Sequence, residues 1–170
     1  MDRMPETFWW WLALGLAVAG LLVAALANGV ETGLYRLNRI RLRLRAASGD
    51  RRAKTLLALL ADLRGLIVVC LVGYNLGTYV VTVMVTMLVA AAGWVEGSPR
   101  IEVLTTAILT PIFFVFADVV PKSIMAYAAD LWTQRMAGAL RWAYRLLYGI
   151  GLVPALKGLI ALVLWIARRP

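Results

Sequence analysis

The 170-residue sequence has no histidine and a single cysteine, Cys70. The first absence removes imidazole acid–base chemistry and every histidine-containing metal site. The second rules out an intrachain disulfide and any multi-cysteine metal cluster. Charge is sparse: 16% of residues are charged, against about a quarter in an ordinary soluble domain. Acids are the scarcer sign, with Asp+Glu 9 against Lys+Arg 18 and a net charge of +9. Asp118 and Glu31 are a conceivable acid–base pair, but no nucleophile–base constellation accompanies them, so an enzyme is not expected. Apolar residues are in excess, at 62% with a mean hydropathy of +0.80. A soluble chain this short cannot bury that much apolar surface. The expected class is an all-α integral membrane protein forming one domain over residues 1–170, with no covalently bound cofactor.

Three apolar runs, uncharged over Thr7–Val30, Gly65–Val95 and Val103–Ala117, are candidate spans at about 7–30, 66–93 and 103–121, to be set against the roughly 20 residues needed to cross a bilayer. The first lacks the basic leader of a cleavable signal, since residues 1–6 hold two acids and one base. The second is long for one straight helix, and Gly73 and Gly77 mark its expected weak point. The third contains Pro111, expected to kink it, and ends at Asp118-Val119-Val120-Pro121-Lys122.

Nine of the basic residues fall between Gly33 and Arg64, and seven lie from Lys122 onward. Arg3 and Arg100 are the two elsewhere. The positive-inside rule therefore places the 34–64 segment and the 123–168 tail in the cytoplasm, with the N-terminus outside a cell membrane. Two short helices joined by a turn at Ser48-Gly49-Asp50 are expected in the first of these segments, although Ile40 to Arg45 also alternates with the period of a strand. In the tail, apolar residues at Trp132, Met136, Leu140, Ala143 and Leu147 predict an amphipathic helix along the membrane surface. A fourth span after it would carry Arg168 and Arg169 to the wrong side. Arg36, Arg39, Arg41, Arg43 and Arg45 are expected to face lipid. With no aromatics interleaved among them, anionic lipid rather than nucleic acid is the expected partner.

Polar groups at membrane depth are costly and point to function. One cluster occurs per span: Asn28-Gly29-Val30-Glu31-Thr32, then Gly73-Tyr74-Asn75 with Thr78, then Asp118 before Pro121. Each joins oxygen-bearing side chains to a helix breaker, with Gly29, Gly73, Gly77, Pro111 and Pro121 as breaking or gating positions. Backbone carbonyls freed this way, together with amide and carboxylate oxygens, suit hard cations. A structural reading stands beside each cluster. The first is then the wet end of a helix, the second is helix-packing glue with a small-xxx-small face, and Asp118 pairs with Lys122 one turn on.

In this order the clusters resemble the transmembrane domain of the CNNM/CorC (cyclin M) family of magnesium transport proteins. The family's S-G-S-E-T-A-L is met by Asn28-Gly29-Val30-Glu31-Thr32-Gly33-Leu34, and its basic S-R-I-R-L by Asn38-Arg39-Ile40-Arg41-Leu42. Its G-N-N-L-V-N is met by Gly73-Tyr74-Asn75-Leu76-Gly77-Thr78, and its G-E-I-L-P-K by Ala117-Asp118-Val119-Val120-Pro121-Lys122. The resemblance covers about Leu21 to Leu156. It implies three transmembrane helices with a belt of juxtamembrane helices, a homodimer, and Mg²⁺ efflux coupled to Na⁺ entry. By position it implies Asn28, Asn75, Thr78 and Asp118 as ligands, with Glu31 beside them. The sequence departs from the pattern at Asn28, Val30, Tyr74, Thr78 and Asp118, which makes an altered ion preference an alternative to Mg²⁺. A non-transporting membrane subunit is the rival reading. The regulatory CBS domains of many family members find no room here, so regulation is expected to be absent or to come from a separate chain.

Overall fold

A computed structural model describes residues 6–92, 103, 107, 110, 111 and 113–167, with only the backbone of Glu6 and Thr7. All regular structure among them is helical. The chain forms α1 (Glu6–Arg36), α2 (Arg39–Ala47), α3 (Arg51–Leu59), a 3₁₀ turn (Leu60–Asp62) and α4 (Leu63–Ala91). A π-helical turn (Val115–Val119) then leads into α5 (Val120–Tyr127), α6 (Ala129–Gly149) and α7 (Leu152–Ala167). Among the described residues two helices are long and apolar enough to cross a membrane, Phe8–Arg36 and Arg51–Ala91, and the bent pair Ala129–Gly149 with Leu152–Ala167 would be a third if it forms one broken span. Six residues of the third expected span, 104–106, 108, 109 and 112, and with them the continuous stretch on which a kink at Pro111 would be read, lie outside the described residues. So do Arg3, Arg100, Arg168 and Arg169.

The chain divides into two compact units. One comprises the described residues of 1–29 and 73–123. In it α1 and α4 cross at near backbone contact. A Cβ placed on Gly77 would lie 2.6 Å from the Gly20 carbonyl oxygen and 2.7 Å from the Ala24 nitrogen, and one on Gly73 would lie 3.2 Å from Ala27 Cβ. Small residues on both helices make this approach possible, and it supplies the dispersion contacts that hold helices together in lipid. Farther toward the start of α1 the helices part around an apolar cleft of about 290 Å³ between Trp9, Leu12 and Leu16 on one side and Met84, Met87 and Leu88 on the other.

This packing corrects one expectation. Gly29, Gly73 and Gly77 do not break their helices: α1 runs unbroken to Arg36 and α4 runs unbroken from Leu63 to Ala91. In the first unit, glycine is needed at 77 because the α1 backbone occupies the space of a side chain, while at 73 a Cβ would press on the Ala27 methyl group.

The second unit comprises residues 30–72 and the described part of 124–170. Its core joins Val30, Leu34, Leu42, Leu56, Leu66 and Met125 to Ala137 and Leu140 of α6. Asn38 caps α2 by accepting from the N–H groups of Ile40 and Arg41, and Asp50 caps α3 by accepting from those of Arg52 and Ala53. Gly49, at φ +100°, makes the turn between these two helices. Gly33 packs against Thr133, whose hydroxyl a Cβ at 33 would strike.

Two polar joints tie α6 and α7 to this unit. Asp130 of α6 accepts from the Asn38 N–H at 3.1 Å and from Arg41 at 2.9 Å. Asp62 accepts from Lys157 of α7 at 2.8 Å, from the Tyr144 hydroxyl at 2.7 Å and from the Gly65 N–H at 3.2 Å. The hydroxyl's bond to Asp62, with burial, pushes Tyr144 up to about 12. Gly151, at φ +80°, turns the chain between α6 and α7, which meet at 75°. Alone, α7 is about 24 Å long and falls short of a roughly 30 Å hydrocarbon core.

Candidate functional site

The site begins with Pro121. Proline has no N–H, so the carbonyl four residues earlier, that of Ala117, loses its usual helical donor, and the proline ring crowds it. The chain answers with a π-helical turn over Val115–Val119, in which the Val120 N–H bonds to the Val115 carbonyl five residues back. Such turns release a backbone acceptor without ending the helix. The released acceptor is used: Asn28 Nδ2 donates to the Ala117 carbonyl at 3.2 Å.

The same amide nitrogen donates to Asp118 Oδ1. Asn28 is buried, Ala117 fully so, and Asp118 half-buried. Lys122, one turn further on, brings its Nζ to 2.5 Å from the same carboxylate oxygen. The carboxylate thus receives an amide from α1 and an ammonium from its own helix. Two oxygens, one from a backbone carbonyl and one from a carboxylate, converge on a single NH₂ group. Carbonyl and carboxylate oxygens are ligand types that hard cations accept, and here both are engaged by hydrogen-bond donors.

The remaining sequence-predicted residues are arranged differently. Thr78 donates its hydroxyl to the Tyr74 carbonyl of its own helix at 2.5 Å. Asn75 is exposed, about 200° around α4 from Gly73 and thus on the face turned away from α1. Glu31 is half-buried and belongs to the other unit. Pro111 is helical and exposed, and Pro121 is the second residue of α5. Among the described residues no group of three or more acidic or cysteine side chains is placed to hold a metal. The Ala117 carbonyl was not singled out from the sequence. The signal was there, since counting back four residues from Pro121 lands on it. The salt bridge between Asp118 and Lys122 was one of the open readings, and it is present.

Arg41 and Arg45, expected to face lipid, turn their guanidinium groups to α6 instead. Arg41 reaches Asp130, and Arg45 donates to Gln134 Oε1 at 3.0 Å. Arg36, Arg39 and Arg43 are exposed.

The transmembrane N-terminal domain of cyclin M proteins matches residues 15–168. The chain belongs to the CNNM family. The match spans both units, so the π-turn, Asn28 and helices α2, α3, α5 and α6 all belong to the CNNM domain. One curated relative, the UPF0053 inner membrane protein YfjD of Escherichia coli (strain K12), is 37% identical over 108 residues, or 61% of this chain. The aligned region is 23% of that relative, so this chain corresponds to under a quarter of its length. The CNNM assignment agrees with the helical fold and with the location in a membrane.

Proposed function

We propose that this CNNM domain moves a cation across the membrane through a site built from Asn28, the Ala117 carbonyl and Asp118. The observation that carries the reading is the convergence of one buried amide from α1 with a freed carbonyl and a carboxylate at a π-turn. Oxygen donors at a break in a membrane helix are how secondary transporters hold ions. For an ion to enter, the Asn28 amide must turn its oxygen inward and Lys122 must leave Asp118. The carboxylate then offsets the ion's charge, and the carbonyl and amide oxygens replace part of its water shell. Mg²⁺, which retains several waters and takes only one or two carboxylates, fits a site with one acid. Coupling to Na⁺, or a preference for another cation, belongs to the same reading. The basic segment 34–64 lies on the cytoplasmic side in this account, from its nine basic residues.

A second reading is favoured by the same contacts. Asn28, Asp118 and Lys122 satisfy one another, and Gly20 and Gly77 pack tightly. A non-transporting subunit needs no more than that. Thermal unfolding of the purified chain with and without Mg²⁺ or Na⁺ separates the two. Ion-dependent stabilisation in the wild type and none in Asp118→Asn is the expected result. An identical ion response in both proteins eliminates the assigned site, and no response in either favours the subunit.

A further inference from the structure

The joints between α2 and α6 fix how α2 is rotated about its own axis, and this leaves a particular face outward. Asp130 grips the first turn through the Asn38 N–H and Arg41, and Gln134 grips the last turn through Arg45. Leu42 and Ala46 point into the core. The face left over carries Ile40 and Leu44, 73% and 65% exposed. Arg39 and Arg43 border this apolar pair on one side and Arg41 and Arg45 on the other, by the 100° advance per residue. No acid occurs in α2.

Chain continuity says at what depth this face lies. The uncharged part of α1 runs from Thr7 to Val30, about 36 Å of helix, enough to cross a hydrocarbon core of roughly 30 Å. Arg36 ends α1 six residues later, about 9 Å beyond, which is headgroup depth. Only Leu37 and Asn38 separate it from Arg39, so α2 starts within about 11 Å of that point. A short helix held at this level, with an apolar stripe between rows of arginine, suits a membrane interface, where Ile40 and Leu44 can enter the acyl boundary and Arg39 and Arg43 can meet phosphates. A second copy of the same face would set arginine against arginine with no acid to answer them.

We propose that α2 is a docking surface for anionic phospholipid of the leaflet at which α1 ends, with Ile40 and Leu44 inserted and Arg39 and Arg43 as the headgroup ligands. Arg41 and Arg45 set the rotation of the helix through α6. This inference is independent of the cation site.

The test uses the full chain in nanodiscs of phosphatidylcholine with and without phosphatidylglycerol. The wild type is expected to gain thermal stability from phosphatidylglycerol. Arg39→Gln with Arg43→Gln is expected to lose about 30-fold in preference for the anionic lipid, at roughly one charge–headgroup contact per arginine. Arg51→Gln with Arg52→Gln, an equal loss of charge on α3, should keep the preference. A fluorophore on Ile40→Cys in a Cys70→Ala background should be quenched by brominated lipid, a readout that holds even if the double variant does not fold. Equal stabilisation by both lipids, equal losses in the two double variants, or an unquenched label overturns the proposal. So does a smaller oligomer in Arg39→Gln/Arg43→Gln with the lipid response intact, which would assign the face to a contact between copies.

Discussion

Asp118 shares one carboxylate oxygen between an amide and an ammonium, and in the proposed site that sharing sets how a cation would compete for it. Lys122 is 46% exposed and Asp118 23%, so the pair is partly hydrated and adds little to stability. Under the proposed function its effect is on occupancy, because the ammonium would compete with the ion for Asp118. Lys122→Met keeps the apolar stem and removes the charge. The ion concentration giving half of the thermal stabilisation should then fall, by about tenfold if the ammonium costs the ion near 1.4 kcal/mol. An unchanged or raised midpoint would show that Lys122 does not compete with the ion. At this scale the sequence was partly legible. Asn28 and Asp118 stand out as polar residues in apolar runs, but nothing in a linear pattern says that they touch. Asn75 stands out equally, and its position on the outer face of α4 depends on where Gly73 and Gly77 pack.

Helices are shaped here as much by neighbouring backbone as by their own composition. Gly73 and Gly77 look like breakers when read along one chain, because glycine lowers helix propensity in isolation. Beside α1 they are the residues that allow close approach, and the helix persists through them. Gly77→Val should therefore force the Gly20 carbonyl away and cost about 1–3 kcal/mol, as overpacking does. Gly138→Ala is the control: a Cβ at Gly138 in α6 meets nothing within 4 Å, so helix propensity alone should give a gain of about 0.5–1 kcal/mol. Thermal unfolding in detergent measures both, and a Gly77→Val protein as stable as wild type would contradict the crossing. The break that does occur was legible only in part. Pro121 signals lost hydrogen bonding, yet the helix absorbs it in a π-turn upstream and does not end there. The short helices α2 and α3 were easier, because Asn38, Asp50 and Gly49 are local cap and turn signals that need no partner.

Across the whole molecule, chemistry and surface charge fall into different compact units. Asn28, Ala117, Asp118 and Lys122 lie in one, and the basic helices α2 and α3 with α6 and α7 lie in the other. Composition alone was enough to indicate an all-helical membrane protein, because 62% apolar residues cannot be buried in so short a soluble chain. What composition does not carry is the division of labour among the arginines: Arg41 and Arg45 brace α6, which depends on Asp130 and Gln134, about 90 residues away in sequence. The proposed transport belongs to this scale, and under that proposal the irregular π-turn is where helix geometry would change while an ion passes. The most direct measurement is Mg²⁺ flux into proteoliposomes holding a Mg²⁺-sensitive dye, with the wild type and Asp118→Asn reconstituted at equal amounts and equal helical content. The account predicts gradient-driven flux in the wild type and none above empty liposomes in the variant; equal flux in both, or a wild type indistinguishable from empty liposomes for Mg²⁺ and for Na⁺, would contradict it.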